Sequence, residues 1–340
     1  MNNLEIIAIE IIEGCNLYCS FCARNASTNK VEMISTETYE NFLNIVSKLS
    51  VKPIIAVTGG EPFLHEKFLE IITLTTQKGF SFSITTNGTI INSSVIDICK
   101  DNAQFRNFIV SLDSSDENIH NKIRGSKNAF KSTVDFIEVL QKNEIPFCIN
   151  MTVNENNYLD VEKTIKFAQK LNAKDISIAT VKPEGRGTAT LKFHQLKSIA
   201  DQIIDNLYLF CDDFKIYATE ITFFLYALES YKDAISSGEK WSCAFGDRSL
   251  HVKLNGDILG CATCNLTTGN IFADEKFDLE YFWKENKILN KVRNKDNLNG
   301  ICGTCEYKNF CGGCRCRAYA LTNDICGDDH YCPIINKNHI

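Results

Sequence analysis

"CNLYCSFC", residues 15–22, places three cysteines in eight residues directly after a β-rich run, "LEIIAIEII" (4–12). A structural zinc site takes four ligands and disulfides take cysteines in pairs. Three thiols at a strand end therefore leave one position for something else to fill. A zinc site completed by a distant histidine is disfavoured, because none of the six histidines lies in this loop or in the motif after the next strand.

Working outward, five further β-rich runs follow: "IIAV" (54–57), "FSFSI" (80–84), "NFIVSL" (107–112), "FCINMTV" (147–153) and "DISIA" (175–179). Amphipathic stretches separate them. Tyr39, Phe42, Leu43 and Val46 fall on one helical face behind a Ser35 cap, and Phe130, Val134, Ile137 and Leu140 do the same later. Gly79 follows "EKFLEIITLTTQK", where a C-terminal glycine cap belongs. Strands alternating with helices imply a parallel sheet with right-handed crossovers. The pattern weakens after residue 180, so the expectation is an α/β fold, a partial (β/α)6 TIM-like barrel over 1–190, with its chemistry at the C-terminal strand ends. Residues 191–240 read as bridging helices interrupted by "FKIYAT" (214–219), and 241–340 as a small cysteine-rich domain held by metal rather than by core burial.

Composition narrows the function. The chain of 340 residues is 44% hydrophobic and 23% charged, with 36 basic against 42 acidic side chains and a formal net charge of -6. No basic run marks a nucleic-acid partner. "MNNLEIIAIEIIEG" lacks a basic n-region, and no apolar stretch reaches the length of a membrane span, so a cytoplasmic location is expected. Sixteen cysteines in a reducing compartment point to metal or catalysis. Cys99, Cys148 and Cys211 sit singly in apolar surroundings and read as small buried hydrophobes.

"VTGGEP" (57–62) ends the second strand with two glycines, a carboxylate and a proline. Alone it reads as a tight turn with Pro62 at a helix start, or as a backbone that approaches a ligand closely with Glu61 near an ammonium group. The CxxxCxxC loop after strand 1 with GGEP after strand 2 resembles the radical S-adenosylmethionine (SAM) enzymes, over roughly residues 4–185. The resemblance implies a [4Fe-4S] cluster on Cys15, Cys19 and Cys22 whose fourth iron is chelated by SAM, the source of a 5′-deoxyadenosyl radical that removes a substrate hydrogen. It also implies a SAM cradle at successive strand ends. Gly59, Gly60 and Glu61 lie after strand 2, and Thr86 and Asn87 in "TTNG" (85–88) lie near the methionine moiety. Ser111 and Asp113 in "SLDS" would meet the ribose, Arg124 the SAM carboxylate, and Phe21 the adenine. "KPEGRG" (182–187) follows strand 6, with Glu184 and Arg186 as substrate-contact candidates or as parts of a solvated turn.

The tail reads C243-x12-G256-x4-C261, then C302-x2-C305-x5-C311-x2-C314-x-C316, then Cys326 and Cys332. Two zinc knuckles would account for 302–305 and 311–314 but leave the other thiols unexplained. The pattern is similar to the SPASM domain, which holds two auxiliary iron–sulfur clusters, and "CGGCRCRAYA" (311–320) is close to the pyrroloquinoline quinone peptide cyclase and haem-pathway members of that group. The usual last gap of three residues is two here. The expected ligands are Cys243, Cys261, Cys314 and Cys316 for a nearer cluster, [4Fe-4S] or [2Fe-2S], and Cys302, Cys305, Cys311 and Cys332 for a farther [4Fe-4S] cluster. Cys264 and Cys326 are left over, and Arg315 and Arg317 either offset cluster charge or lie on the surface.

Three functions compete. The resemblance favours an oxidoreductase that matures a ribosomally made peptide, bound directly or brought by a separate presenting protein, since no room for a recognition domain precedes strand 1. The alternative is a small-molecule reaction such as oxidative decarboxylation of a tetrapyrrole propionate. The third is a non-catalytic iron–sulfur electron carrier, which gains nothing from an open iron. An external electron donor such as flavodoxin or ferredoxin is implied for the enzymes, and the sequence names no general acid or base.

Overall fold

The computed structural model describes residues 3–188, 190–207, 214–220 and 243–335. Six strands alternate with helices through the first half: β1 (Ile6–Glu10), β2 (Ile54–Thr58), β3 (Phe82–Thr86), β4 (Phe105–Ser111), β5 (Phe147–Val153) and β6 (Asp175–Thr180). The helices between them are α1 (Thr36–Val46), α2 (Phe68–Gln77), α3 (Ser93–Lys100), α4 (Glu117–Arg124), α5 (Ala129–Lys142) and α6 (Val161–Lys170). Strands β1 to β6 pair in parallel in sequence order. The helix periods lay Tyr39, Phe42, Leu43 and Val46 of α1, with Phe136, Ile137 and Leu140 of α5, into the apolar core. Fully burying one such side chain contributes about 1.5–3 kcal/mol. Ser35 caps α1, its hydroxyl accepting the Thr38 N–H at 3.0 Å. Gly79, with φ of +76°, turns the chain left-handed after α2.

The sheet continues past both ends of this six-strand unit. The stretch read as a bridge carries α7 (Phe193–Leu207) and then β7 (Lys215–Ala218), which pairs in parallel with β6, Ile176 opposite Ile216. Four residues with only Ile216 and Ala218 turned inward are too short for a period-2 pattern to stand out. At the other edge β8 (Ser249–Val252) lies parallel to β1, placing His251 beside Ala8. β9 (Asp257–Leu259) and β10 (Thr267–Asn270) follow it antiparallel. The order is β10-β9-β8-β1-β2-β3-β4-β5-β6-β7, one open ten-stranded sheet. The tail therefore begins as an extension of the barrel's own sheet, and the single large core includes Phe245, Trp283 and Tyr331 along with the barrel residues.

Cys99 and Cys148 are buried as expected, although the Cys148 thiol is 2.9 Å from Asp175 Oδ2 and accepts from Asn107. Cys211 and the second bridging helix lie outside the described residues. Among the described residues no helix is long and apolar enough to cross a membrane.

Candidate active site

The cysteine loop leaves β1 and is gripped from the side by the turn after β2. Gly60 N–H donates to Ile12 O at 2.7 Å and Glu61 N–H to Gly14 O at 2.8 Å. A Cβ on Gly60 would overlap the Gly14 carbonyl, and one on Gly59 the Ile12 carbonyl. The two glycines do permit a close backbone approach, but it is to the loop that carries Cys15. Cys15, Cys19 and Cys22 pack together with Leu17, Ala26 and Ala129. Donors converge on their sulfurs: Leu17 N–H at 3.4 Å and Asn87 Nδ2 at 3.7 Å from Cys15 Sγ, and Arg124 Nη1 at 3.8 Å from Cys19 Sγ. Burial pushes the Cys15 thiol up to about 12, only partly opposed by the Leu17 N–H. A buried thiol of this kind becomes a thiolate when a metal takes the place of its proton. Among the described residues no three cysteine, histidine or carboxylate groups converge on a single-ion site. The packed thiols with N–H donors around them are the donor set that suits an anionic iron–sulfur cluster.

Around the loop the expected cradle residues are brought together, several in roles of their own. Glu61 is fully buried and accepts from Thr86 Oγ1 and Asn87 N, both at 2.8 Å, and from Phe63 N at 3.2 Å. Its carboxylate thus fixes the end of β3. Burial pushes it up to about 7 against these donors. Asn87 also donates to Asn16 at 2.9 Å, tying the β3 end to the cysteine loop. Ser111 is buried at the end of β4. Asp113, expected at a ribose, is 2.6 Å from Arg124 Nε and accepts the Thr152 N–H at 2.9 Å. Burial works against the Arg124 charge, but Asp113 outweighs it and holds the guanidinium protonated beside Cys19 and 5.5 Å over the Phe21 ring.

Arg186, expected as a substrate contact or part of a solvated turn, is held against the cysteine loop. Its guanidinium donates to Cys19 O at 2.8 Å and Ala26 O at 3.0 Å and stacks 4.0 Å from the Tyr18 ring, so it clamps the cysteine loop from β6. Glu184 is half-buried in a separate polar cleft beside Gly59 and Gly60.

The tail thiols fall into two sets. Cys302, Cys305, Cys311 and Cys332 line one small cavity. Cys243, Cys261, Cys314 and Cys316 line a second, larger one, which Cys311 also borders. The Cys316 thiol, whose one proton can be donated to either neighbour, lowers Cys261 to about 6 and Cys314 to about 7. Cys264 also touches Cys316, so it belongs with this second set, whereas Cys326 is a fully buried thiol of the core. Between the sets, Gly313 has φ of +61° and turns its N–H to within 3.3 Å of Cys311 Sγ. Arg315 and Arg317 are both fully buried, which removes the surface reading. Arg315 donates to Gly327 O at 2.7 Å and Ile325 O at 3.2 Å, with Nη2 3.9 Å from Cys302 Sγ.

Comparison with known proteins agrees with this geometry. The radical SAM superfamily description matches residues 9–168. The chain is 31% identical to the AdoMet-dependent heme synthase of Methanosarcina barkeri over 347 residues, covering 97% of each. The chain belongs to the radical SAM superfamily. Members use a [4Fe-4S] cluster and SAM, and this chain is an enzyme of that kind. It is also 24% identical to the PqqA peptide cyclase of Ruegeria pomeroyi, over 97% of this chain and 87% of that one. Its fold matches Streptococcus suis SuiB bound to precursor peptide SuiA, with a TM-score of 0.74, 17% identity, and coverage of 97% of this chain and 76% of that one. It likewise matches anSMEcpe with bound AdoMet and Cp18Cys peptide, with a TM-score of 0.74, 21% identity, and coverage of 98% and 94%.

In this radical SAM enzyme the cysteine loop and the second set of tail thiols face the same cavity, of about 350 Å³. Phe21 and Ala23 form its loop side, and Cys243, Cys261, Cys314 and Cys316 its tail side. Thr180, Lys182, Thr219 and Glu220, at the ends of β6 and β7, line it too. Lys182 and Glu220 were not among the expected site residues. Lys182 Nζ is 2.5 Å from Glu220 Oε1, and Glu220 also accepts from Thr180 and from Arg317 Nη1, the latter at 2.7 Å. Glu220 carries no local motif, so only the pairing of β7 with β6 reveals its position.

Proposed function

We propose that this radical SAM enzyme oxidises a carboxylate-bearing small molecule of the heme-precursor type, held in the cavity between Phe21 and the nearer tail cysteines. The observation that carries the reading is that one cavity is walled by the first cysteine loop on one side and by a second thiol set on the other, with Lys182 its one lining cation among the described residues. Bound at these thiols, a [4Fe-4S] cluster with SAM and two auxiliary clusters in the tail would supply a hydrogen-abstracting radical and an outlet for a surplus electron. Lys182 would attract a propionate-like carboxylate, and Glu220 would hold that ammonium in place. Removing a β-hydrogen from a propionate and then losing carbon dioxide and one electron leaves a vinyl group, so atoms and charge balance. Similarity to heme synthases across nearly the whole chain supports this substrate class. A flavodoxin- or ferredoxin-like protein would deliver the starting electron.

A second reading, oxidative modification of a ribosomal peptide brought by a presenting protein, is supported by the likeness to AlbA of Bacillus subtilis, 23% identical over 90% of this chain, and to PqqA peptide cyclase. Mass spectrometry of anaerobic turnovers separates the two. Loss of one carbon dioxide and one hydrogen per reacted propionate from a propionate-bearing porphyrin, with label from its β-carbon in 5′-deoxyadenosine, supports the first. Loss of about two hydrogens from a peptide, with the porphyrin untouched, replaces it with the second.

A further inference from the structure

Five thiols, rather than four, meet at the nearer tail centre. Cys261 and Cys264 close a four-residue turn, "CATC", in which Cys264 N–H donates to Cys261 O at 3.2 Å. That spacing presents two sulfurs to one metal centre. The turn is pinned from the first cysteine loop, because Arg24 donates to Ala262 O. Cys314 stands at the start of the helix Arg315–Thr322, and Cys316 lies in its first turn. Cys264 and Cys316 sit in the buried core with Cys243, Cys261 and Cys314 packed against it, and the Cys316 thiol is within hydrogen-bonding reach of Cys261, Cys264 and Cys314. Four of the five line the cavity, while Cys264, 1% exposed, lies off the cavity wall against Cys316.

An iron–sulfur cluster takes no more than four cysteines. One thiol of this set is therefore surplus, and Cys264, alone of the five off the cavity wall, lies against Cys316 on that wall. We propose that Cys264 and Cys316 share one corner of the nearer cluster, either sulfur being able to ligate the same iron. A change of side-chain rotamer is enough to exchange neighbouring sulfurs. The arrangement lets the cavity-facing Cys316 leave the iron without loss of the cluster. The proposal rests on the reading that this set holds an auxiliary cluster.

The test is iron content and low-temperature electron paramagnetic resonance of anaerobically reconstituted wild type, Cys264→Ala, Cys316→Ala and the double variant. Wild type is expected to carry on the order of 12 irons, or about 10 with a [2Fe-2S] nearer cluster. Each single variant should keep that number, with altered resonances in Cys316→Ala. The double variant should lose one cluster's iron while the farther cluster's signal persists. Loss of a cluster in either single variant overturns the sharing, and so does full iron in the double variant. If the double variant does not fold, the single variants still decide. Wild type holding only about four irons overturns the auxiliary-cluster reading itself, a result distinct from any pattern among the variants.

Discussion

Arg317 and Asp329, both fully buried, are joined by two hydrogen bonds, Nε to Oδ1 at 2.6 Å and Nη2 to Oδ2 at 2.8 Å. The pair links two parts of the molecule. Asp329 Oδ2 also accepts the Cys314 N–H at 2.7 Å, and Arg317 Nη1 reaches Thr180 at 3.0 Å and Glu220 at 2.7 Å. The barrel's β6 and β7 ends are thereby connected to the loop that carries the nearer thiols. Arg317 also lies 4.1 Å over the Tyr331 ring, whose hydroxyl accepts the Leu191 N–H.

Removing one member strands buried charge. Arg317→Met should destabilise the protein by about 3–5 kcal/mol, because Asp329 and Glu220 lose their shared cation. Adding Asp329→Asn should recover part of that loss, since the uncompensated carboxylate is gone. Urea unfolding of the two single variants and the double variant measures the coupling. Additive losses would show that the two residues act independently.

The two cysteine fields should separate in assay. Cys19→Ala removes a loop thiol and should abolish reductive SAM cleavage with or without substrate. Cys261→Ala should retain SAM cleavage while product falls by at least about tenfold, since it alters only the far wall of the cavity. Circular dichroism checks that both remain folded, because cluster loss can unfold a metal-dependent region. Equal loss of SAM cleavage in the two variants would contradict this division.

Much of this site was legible because its signals are local. Three cysteines in eight residues and GGEP are readable from spacing, and the resemblance they carry pointed on to the strand ends with Thr86, Asn87 and Asp113. Short β-rich runs likewise marked β1 to β6. What escaped depends on contacts between distant parts of the chain. β7 has four residues, and only its register against β6 brings Glu220 beside Lys182, 38 residues away in sequence. Arg186 sits in a glycine-rich loop that suggests exposure, yet its partners lie more than 150 residues upstream. The position of Cys264 had a local signal, its CxxC spacing to Cys261, which the longer tail pattern obscured.

His120 gives a pH dependence with a definite sign. It is fully buried, its Nδ1 accepts the Asp113 N–H at 3.2 Å, and burial first, with the Arg124 charge second, pushes it down to about 3. The unfolded chain therefore binds the proton first as pH falls. The resulting stabilisation is complete above about pH 6.5 and is lost as pH falls toward 3, by about 1.4 kcal/mol at pH 5.5. Comparing urea unfolding of wild type and His120→Asn at about pH 7.5 and 5.5 isolates this contribution. An equal pH response in the two proteins would assign the acid lability to other groups.

Gly60 and Gly79 separate a glycine needed for the site from one needed only for a turn. A methyl group on Gly60 would run into the backbone of Glu13 and Gly14, which has little room to yield. The hydrogen bonds from Gly60 to Ile12 and from Glu61 to Gly14 would be disturbed with it, and Cys15 follows directly in the chain. Gly60→Ala should therefore shift the cysteine loop and lower SAM cleavage by about 10²-fold, the scale on which small misplacements act. Gly79, with φ of +76°, would meet only the Lys52 ammonium at 3.1 Å and the end of Gln104 at 3.9 Å. Gly79→Ala should lower stability by about 1–2 kcal/mol through left-handed strain while leaving SAM cleavage at the wild-type rate. Single-turnover measurement of 5′-deoxyadenosine, alongside thermal unfolding, tests both at once. A Gly60→Ala protein that cleaves SAM as fast as wild type would mean that the β2 turn does not hold the loop in its working position.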